Sequence, residues 1–184
     1  HRFYQNQTQI AAGRNNQFAA WADSGGLVMG HYRNSAATLR LWNLAQQYTL
    51  CDNFFMSAFG GSWLNHIFLI SAQAPFYPDV HTSPAKHLVS VVEGSDPTGT
   101  RLKLAADCPS SALAGPPRFE RDGLFTADGY AVNTMAPPYQ PSNVPPAEGG
   151  DPTRADPANP RVLPPQPYAT IGDRLSDKHI DWAW

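Results

Sequence analysis

Charge is scarce in this sequence. Only 15% of its 184 residues are Asp, Glu, Lys or Arg, and the formal net charge is −2. That excludes a basic nucleic-acid surface, which needs clustered Lys and Arg. Long apolar runs are missing too, since none approaches the ~18 residues of a membrane-spanning helix. Cysteine is limited to Cys51 and Cys108, which lack the CxxC spacing of a metal or redox site. They allow one disulfide in an exported protein or two free buried thiols. Hydrophobic residues, at 42%, exclude disorder throughout and suffice for the core of one domain.

What is present begins oddly. The first residue is His1, with no methionine or signal peptide before it, and the last are Asp181-Trp182-Ala183-Trp184, which read as a strand cut short. The expectation is a piece of a longer protein, the alternative being a processed mature chain. Residues 1–184 read as a single partial domain.

Along the chain, Gln, Asn and aromatics crowd His1–Phe18, and Ala19–Trp21 reads as the end of a short helix. Asp23-Ser24-Gly25-Gly26 is turn chemistry, followed by the short apolar Leu27–Gly30. Leu41, Leu44, Ala45 and Tyr48 recur at spacings of three and four, which predicts an amphipathic helix over Thr38–Tyr48. Leu50–Met56 reads as a buried strand with Phe54 and Phe55 in the core. Leu88–Val92 is β-branched and predicts another strand. Asp128-Gly129 marks a hairpin within Gly123–Thr134. Eleven of the 18 prolines fall in residues 137–167, which excludes helix and central strand there. A loop of that length is functional or a linker. Thr170 then caps a short helix over Ala169–Lys178, with Ile180–Trp184 as the strand after it. Strand, turn and helix followed by helix and strand predict an α/β layer architecture.

The chemistry concentrates in Phe59-Gly60-Gly61-Ser62-Trp63-Leu64-Asn65-His66, which opens the apolar run Ile67–Ile70. The glycines predict a tight turn into a helix, with the Ser62 hydroxyl near the first turn. Unpaired N–H groups and the positive dipole end lie there, a favourable place for phosphate. Strand, tight turn, serine and helix also form the geometry that exposes a nucleophile. Read alone, Ser62 is either a turn or cap residue or a nucleophile, with no fixed base beside it. His66, one helical turn on, is either a packed side chain or a site residue. His31, His81, His87 and His179 read as surface or structural.

An ordered series of segments goes further. His1–Gln7, Gly13-Arg14-Asn15, Gly26–Tyr32, Leu44-Ala45, Cys51–Phe55 and Phe59–His66 follow one another, and Tyr130–Thr134 and Ile171–Trp184 continue the series. Together they resemble the bacterial phosphoesterase family of acid phosphatases and phospholipase C enzymes. The resemblance runs from His1 to about Pro75 and resumes after the gap, while the Pro-rich stretch is similar only in composition. It implies a fold like alkaline phosphatase, a central sheet flanked by helices. Phospholipase-like members carry Gly-Pro-Thr-x-Pro-Asn-Arg where this chain has Gly60–His66. Ser at the nucleophile position and His at the end make it look like the acid phosphatase branch.

The resemblance also implies a mechanism and partners. Ser62 would attack phosphorus and form a phosphoserine that water hydrolyses, and it would touch a divalent metal that lowers its pKa. The other metal ligands of the family lie in segments this chain does not contain, so the 184 residues alone are expected to be inactive. His1 falls where the family has a histidine near the active site, which implies a catalytic group that stabilises phosphate charge or protonates the leaving group. Asn65 aligns with the motif asparagine and, with His66, is a candidate substrate contact. Asn65 could equally serve as a turn hydrogen bond. The expected partners are a phosphate monoester or phospholipid and the remainder of the parent polypeptide, in a bacterial periplasmic or secreted setting. A lipid enzyme would show an apolar rim, for which Phe59, Trp63 and Phe76 are available. The competing class is a non-catalytic module that keeps the phosphate-binding fold.

Overall fold

The computed structural model describes residues 2–21, 38–94, 99–111 and 113–183. His1, the expected turn at Asp23–Gly26, the apolar Leu27–Gly30 and Trp184 lie outside them. Four helices are present among the described residues: α1 (Phe3–Ile10), α2 (Arg40–Gln47), α3 (Ser62–Ser71) and α4 (Ile171–Asp177). A 3-10 turn spans Lys86–Leu88.

The β content among the described residues consists of isolated bridges. Phe125 is central to them, pairing in parallel with Val89 and antiparallel with Ala131. Phe76–Tyr130, Val92–Leu102 and Leu104–Phe119 bridges extend this network. The expected hairpin is present: Thr126 N donates to Tyr130 O (2.9 Å) across the Asp128-Gly129 turn. The strand expected at Leu88–Val92 is reduced to the two bridge positions, Val89 and Val92.

The main core gathers Val80, Ala85, Val89, Leu124, Phe125, Ala131, Met135 and Leu163, with Trp63, Tyr77 and Leu88 packed against it. Tyr77 meets Phe125 edge-on, with ring centroids 5.5 Å apart. A second cluster joins Ala136 to Val144, Ala155 and Val162 of the Pro-rich segment. That segment is irregular, as its prolines demand, yet it is tied down. Ala136 N donates to Arg161 O, Leu163 N to Ala136 O and Ala155 N to Pro138 O, at 2.8–3.0 Å. Gln166 closes its far end by bonding both N (2.8 Å) and O (3.1 Å) of Phe76.

Three expectations are corrected. Leu50–Met56 forms no strand, and Phe54 and Phe55 are 85% and 80% exposed rather than core. A strand needs a hydrogen-bonding neighbour, and none stands beside this one among the described residues. Ile180–Ala183 likewise forms no strand. It folds back on α4, where Trp182 donates Nε1–H to Ser176 Oγ (3.0 Å) and its ring covers Gly172. Cys51, expected in an apolar setting, is exposed, and both cysteines are free. Helix α2 sits inside the predicted span, but none of its residues is buried.

Helix α1 has no apolar periodicity to announce it. Its sequence is polar, but Tyr4, Gln5 and Gln9 are buried, and Gln9 Nε2 donates to Trp21 O at 2.9 Å. Burial, with the charges of Asp128 and Asp122, pushes the Tyr4 hydroxyl up to about 12. The folded state therefore holds its proton where the unfolded chain has lost it. Stability should fall as pH rises from about 10 to about 12, by at most about 1.4 kcal/mol per pH unit. Urea titrations at stepped pH should show this slope in the native sequence and a shallower one in Tyr4→Phe.

Helix α4 matches its sequence signals closely. Thr170 Oγ1 accepts from Asp173 N while Asp173 Oδ2 accepts from Thr170 N (2.6 Å), a reciprocal capping box. Those bonds hold the Asp173 carboxyl below its ordinary range. Thr170→Ala removes the hydroxyl half of the box and should cost about 1 kcal/mol, readable as a lower denaturation midpoint.

Candidate active site

The turn before α3 explains how Ser62 is presented. Gly60 is buried at φ +137°, a backbone region that side chains rarely enter. Gly61 follows in extended conformation as the N-cap, with no side chain capping the helix. Ser62 is thus the first helical residue, beside the unpaired first-turn N–H groups. The next two side chains anchor the turn: Trp63 packs on the main core and Leu64 is 3% exposed. Ser62 is left exposed.

The other motif residues serve this turn. Asn65 Oδ1 accepts from Ala58 N (3.1 Å), and its Nδ2 donates to Ala58 O (3.0 Å) and Gly61 O (3.2 Å). Both amide hydrogens are therefore committed to backbone in this arrangement. His66 Nδ1 donates to the Ser62 carbonyl at 2.7 Å, and since a carbonyl only accepts, the ring carries its proton there. His66 Nε2 faces away from that bond, and no hydrogen bond links the ring to Ser62 Oγ among the described residues. His81 Nε2 is bound to Ala127 O (2.7 Å), a structural place.

Ser62 opens onto a cleft of about 220 Å³ lined by Arg2, Gly61, Ser62, Trp63, Leu64, Leu124, Val132, Asn133, Thr134 and Arg161. A larger, mainly apolar cavity of about 480 Å³ lies against the Pro-rich segment and includes none of the motif residues. In the Ser62 cleft, Arg2 is held firmly. Its Nε meets Asp122 Oδ2 at 2.6 Å, and its Nη2 donates to the carbonyls of Asp122 and Gly123 (2.7 Å to the latter). Burial pushes the Asp122 carboxyl up, and the Arg2 charge partly opposes this. Asn133 Nδ2 donates to the same Gly123 carbonyl (2.8 Å) while its Oδ1 accepts from Phe3 N (3.2 Å). These bonds lock the start of α1 to one wall.

Arg161 approaches from the opposite direction in sequence, out of the Pro-rich segment. Its backbone is fixed by Asn159 Oδ1 (2.9 Å) and Ala136 N (2.8 Å). Its guanidinium has no hydrogen bond or ion pair among the described residues. Sequence reasoning missed it, although residues 137–167 contain just two cations, Arg154 and Arg161.

These residues do not fit a metal. The cleft lining contains no carboxylate, thiolate or imidazole, and no three of His, Cys, Asp and Glu cluster for an ion among the described residues. Two guanidinium groups in the lining suit an anion instead.

The Phosphoesterase family model matches residues 1–184. The chain belongs to the Phosphoesterase family. No curated protein and no solved structure matches it. Membership of the Phosphoesterase family indicates a hydrolase acting on phosphoric esters, with a phosphate ester as substrate. No helix among the described residues is long and apolar enough to cross a membrane.

Proposed function

We propose that this chain carries the nucleophile and phosphate cleft of a phosphomonoesterase of the acid phosphatase kind, with Ser62 as the attacking group. The observation that carries the reading is the exposed Ser62, first residue of α3, in a cleft whose lining among the described residues includes the unpaired Arg161 and no carboxylate. Ser62 Oγ bonds phosphorus as the ester oxygen bond breaks, and the serine proton ends on the departing alcohol. Water then attacks the phosphoserine, releasing orthophosphate and restoring the hydroxyl. Arg161 and the first-turn N–H groups of α3 balance the phosphoryl charge. Asn65 and His66 act through the turn, holding Gly61 and Ser62 in place. We infer that the divalent metal implied by the resemblance would contact Ser62 and take its other ligands from outside the described residues.

A phospholipase C reading has less behind it. Trp63 lines the cleft but leans on the core, and Phe59 and Phe76 do not line it. The decisive experiment is to quench the parent protein in acid during turnover of p-nitrophenyl phosphate. Mass spectrometry should find phosphate on Ser62, and its presence on another residue, or on none, rejects the nucleophile.

A further inference from the structure

We propose that Arg161, delivered by the Pro-rich segment, is the residue that selects a dianionic phosphate monoester over a monoanionic diester. The inference rests on the Ser62 reading and extends it to substrate class.

The cleft has two cations in unequal states. Arg2 is spent: the Asp122 carboxylate neutralises its charge, and the Asp122 and Gly123 carbonyls take further donors. Arg161 makes no such bonds among the described residues and lies exposed. The contrast within its own segment is instructive. Arg154 stands 3.9 Å from Asp151 and lies over the Tyr139 ring at 4.7 Å. Asp151 is further occupied by Thr153, through both N (2.8 Å) and Oγ1 (2.6 Å). Asp156 accepts from Ala158 N at 2.9 Å. Two of the segment's three acids, Asp151 and Asp156, are thus engaged elsewhere. The third, Glu148, makes no ion pair or hydrogen bond with Arg161 among the described residues, and the fork of donors remains available.

A guanidinium fork matches two oxygens of a phosphate and binds them in a bidentate manner. A monoester offers its nucleophile three unesterified oxygens sharing two negative charges. A diester offers two oxygens sharing one. Arg161, the unspent cation of the cleft among the described residues, therefore gains most with the monoester. The cleft volume of about 220 Å³ suits a phosphoryl group and a small leaving group.

The test compares p-nitrophenyl phosphate with bis(p-nitrophenyl) phosphate in the parent protein and its Arg161→Ala and Arg161→Lys variants. Losing a charge-assisted contact should lower kcat/KM for the monoester about ten- to a hundredfold in Arg161→Ala. The diester should change by less than about threefold, with Arg161→Lys between the two on the monoester. Inhibition by orthophosphate should weaken in parallel. A fall shared equally by both esters, or no fall, overturns the proposal. If that happens while Ser62 still becomes phosphorylated in the native protein, the Arg161 assignment fails alone. Absence of phosphate on Ser62 in the native protein overturns both readings.

Discussion

Ser62→Ala should abolish turnover of p-nitrophenyl phosphate by the parent protein, lowering kcat by at least about a thousandfold, while leaving its melting temperature in place. Both halves of that expectation come from the same geometry. The hydroxyl is exposed, caps nothing and makes no hydrogen bond among the described residues. Alanine is the best helix former, and an exposed first-turn substitution of this type usually stays within about ±0.5 kcal/mol. Ser62 therefore contributes little to the fold, and a large kinetic effect would report chemistry. Steady-state assays beside a thermal melt separate the two. Turnover within about tenfold of the native protein would remove Ser62 from the mechanism, and a lowered melt would mean that the hydroxyl has a structural partner.

Gly123→Ala should destabilise the fold more than any other glycine-to-alanine change among the described residues. A Cβ on Gly123 would stand 2.1 Å from Leu88 O, 2.7 Å from Ser90 N and 2.8 Å from Val89 C. All three are backbone atoms, so no side chain can swing away. The obstructed segment is also the one that pairs with the hairpin. Leu124 N donates to Leu88 O (2.7 Å) and Ser90 N to Phe125 O (2.8 Å), while Gly123 N donates to Ser90 Oγ (3.0 Å). Relieving the overlap stretches these bonds together. Overpacking of this kind costs about 3 kcal/mol, which corresponds to a drop of roughly 10 °C in melting temperature for a chain of this size. The Gly123 carbonyl also holds Arg2 and Asn133, so phosphate affinity should fall as well. Gly94→Ala is the control: its Cβ would meet nothing within 4 Å, and its melt should move little. Equal melts for the two variants would contradict the packing described around Phe125.

Much of the site was readable from residues in order. The Gly60-Gly61 turn, the helix opening at Ser62 and the Thr170 cap all rest on local chemistry. Glycine conformation, first-turn position and side-chain hydrogen bonds to nearby backbone are written within a few residues. The hairpin at Asp128-Gly129 was legible for the same reason. What the sequence did not disclose depends on contacts at long range. Arg2 and Asp122 are separated by 120 positions, and Arg161 reaches the cleft through its bond to Ala136 and the packing of Val162 and Leu163. The polar helix α1 was hidden because the residues it buries, Gln5 and Gln9 among them, follow no apolar periodicity. Leu50–Met56 misled in the opposite way. Its residues have strand character, yet a strand is defined by its neighbour, and composition says nothing of whether one is beside it.

The Pro-rich segment has a consequence for how the cleft could change over evolutionary time. Prolines restrict the unfolded chain, so ordering this stretch sacrifices less conformational freedom than an ordinary loop of equal length would. Its small apolar cluster and its own backbone bonds then hold much of its shape from within. Such a segment can exchange the side chain at position 161 without disturbing the turn that carries the serine. Substrate preference and reactive group would thereby be inherited as separable traits, the first on a stiff strap and the second on a helix end.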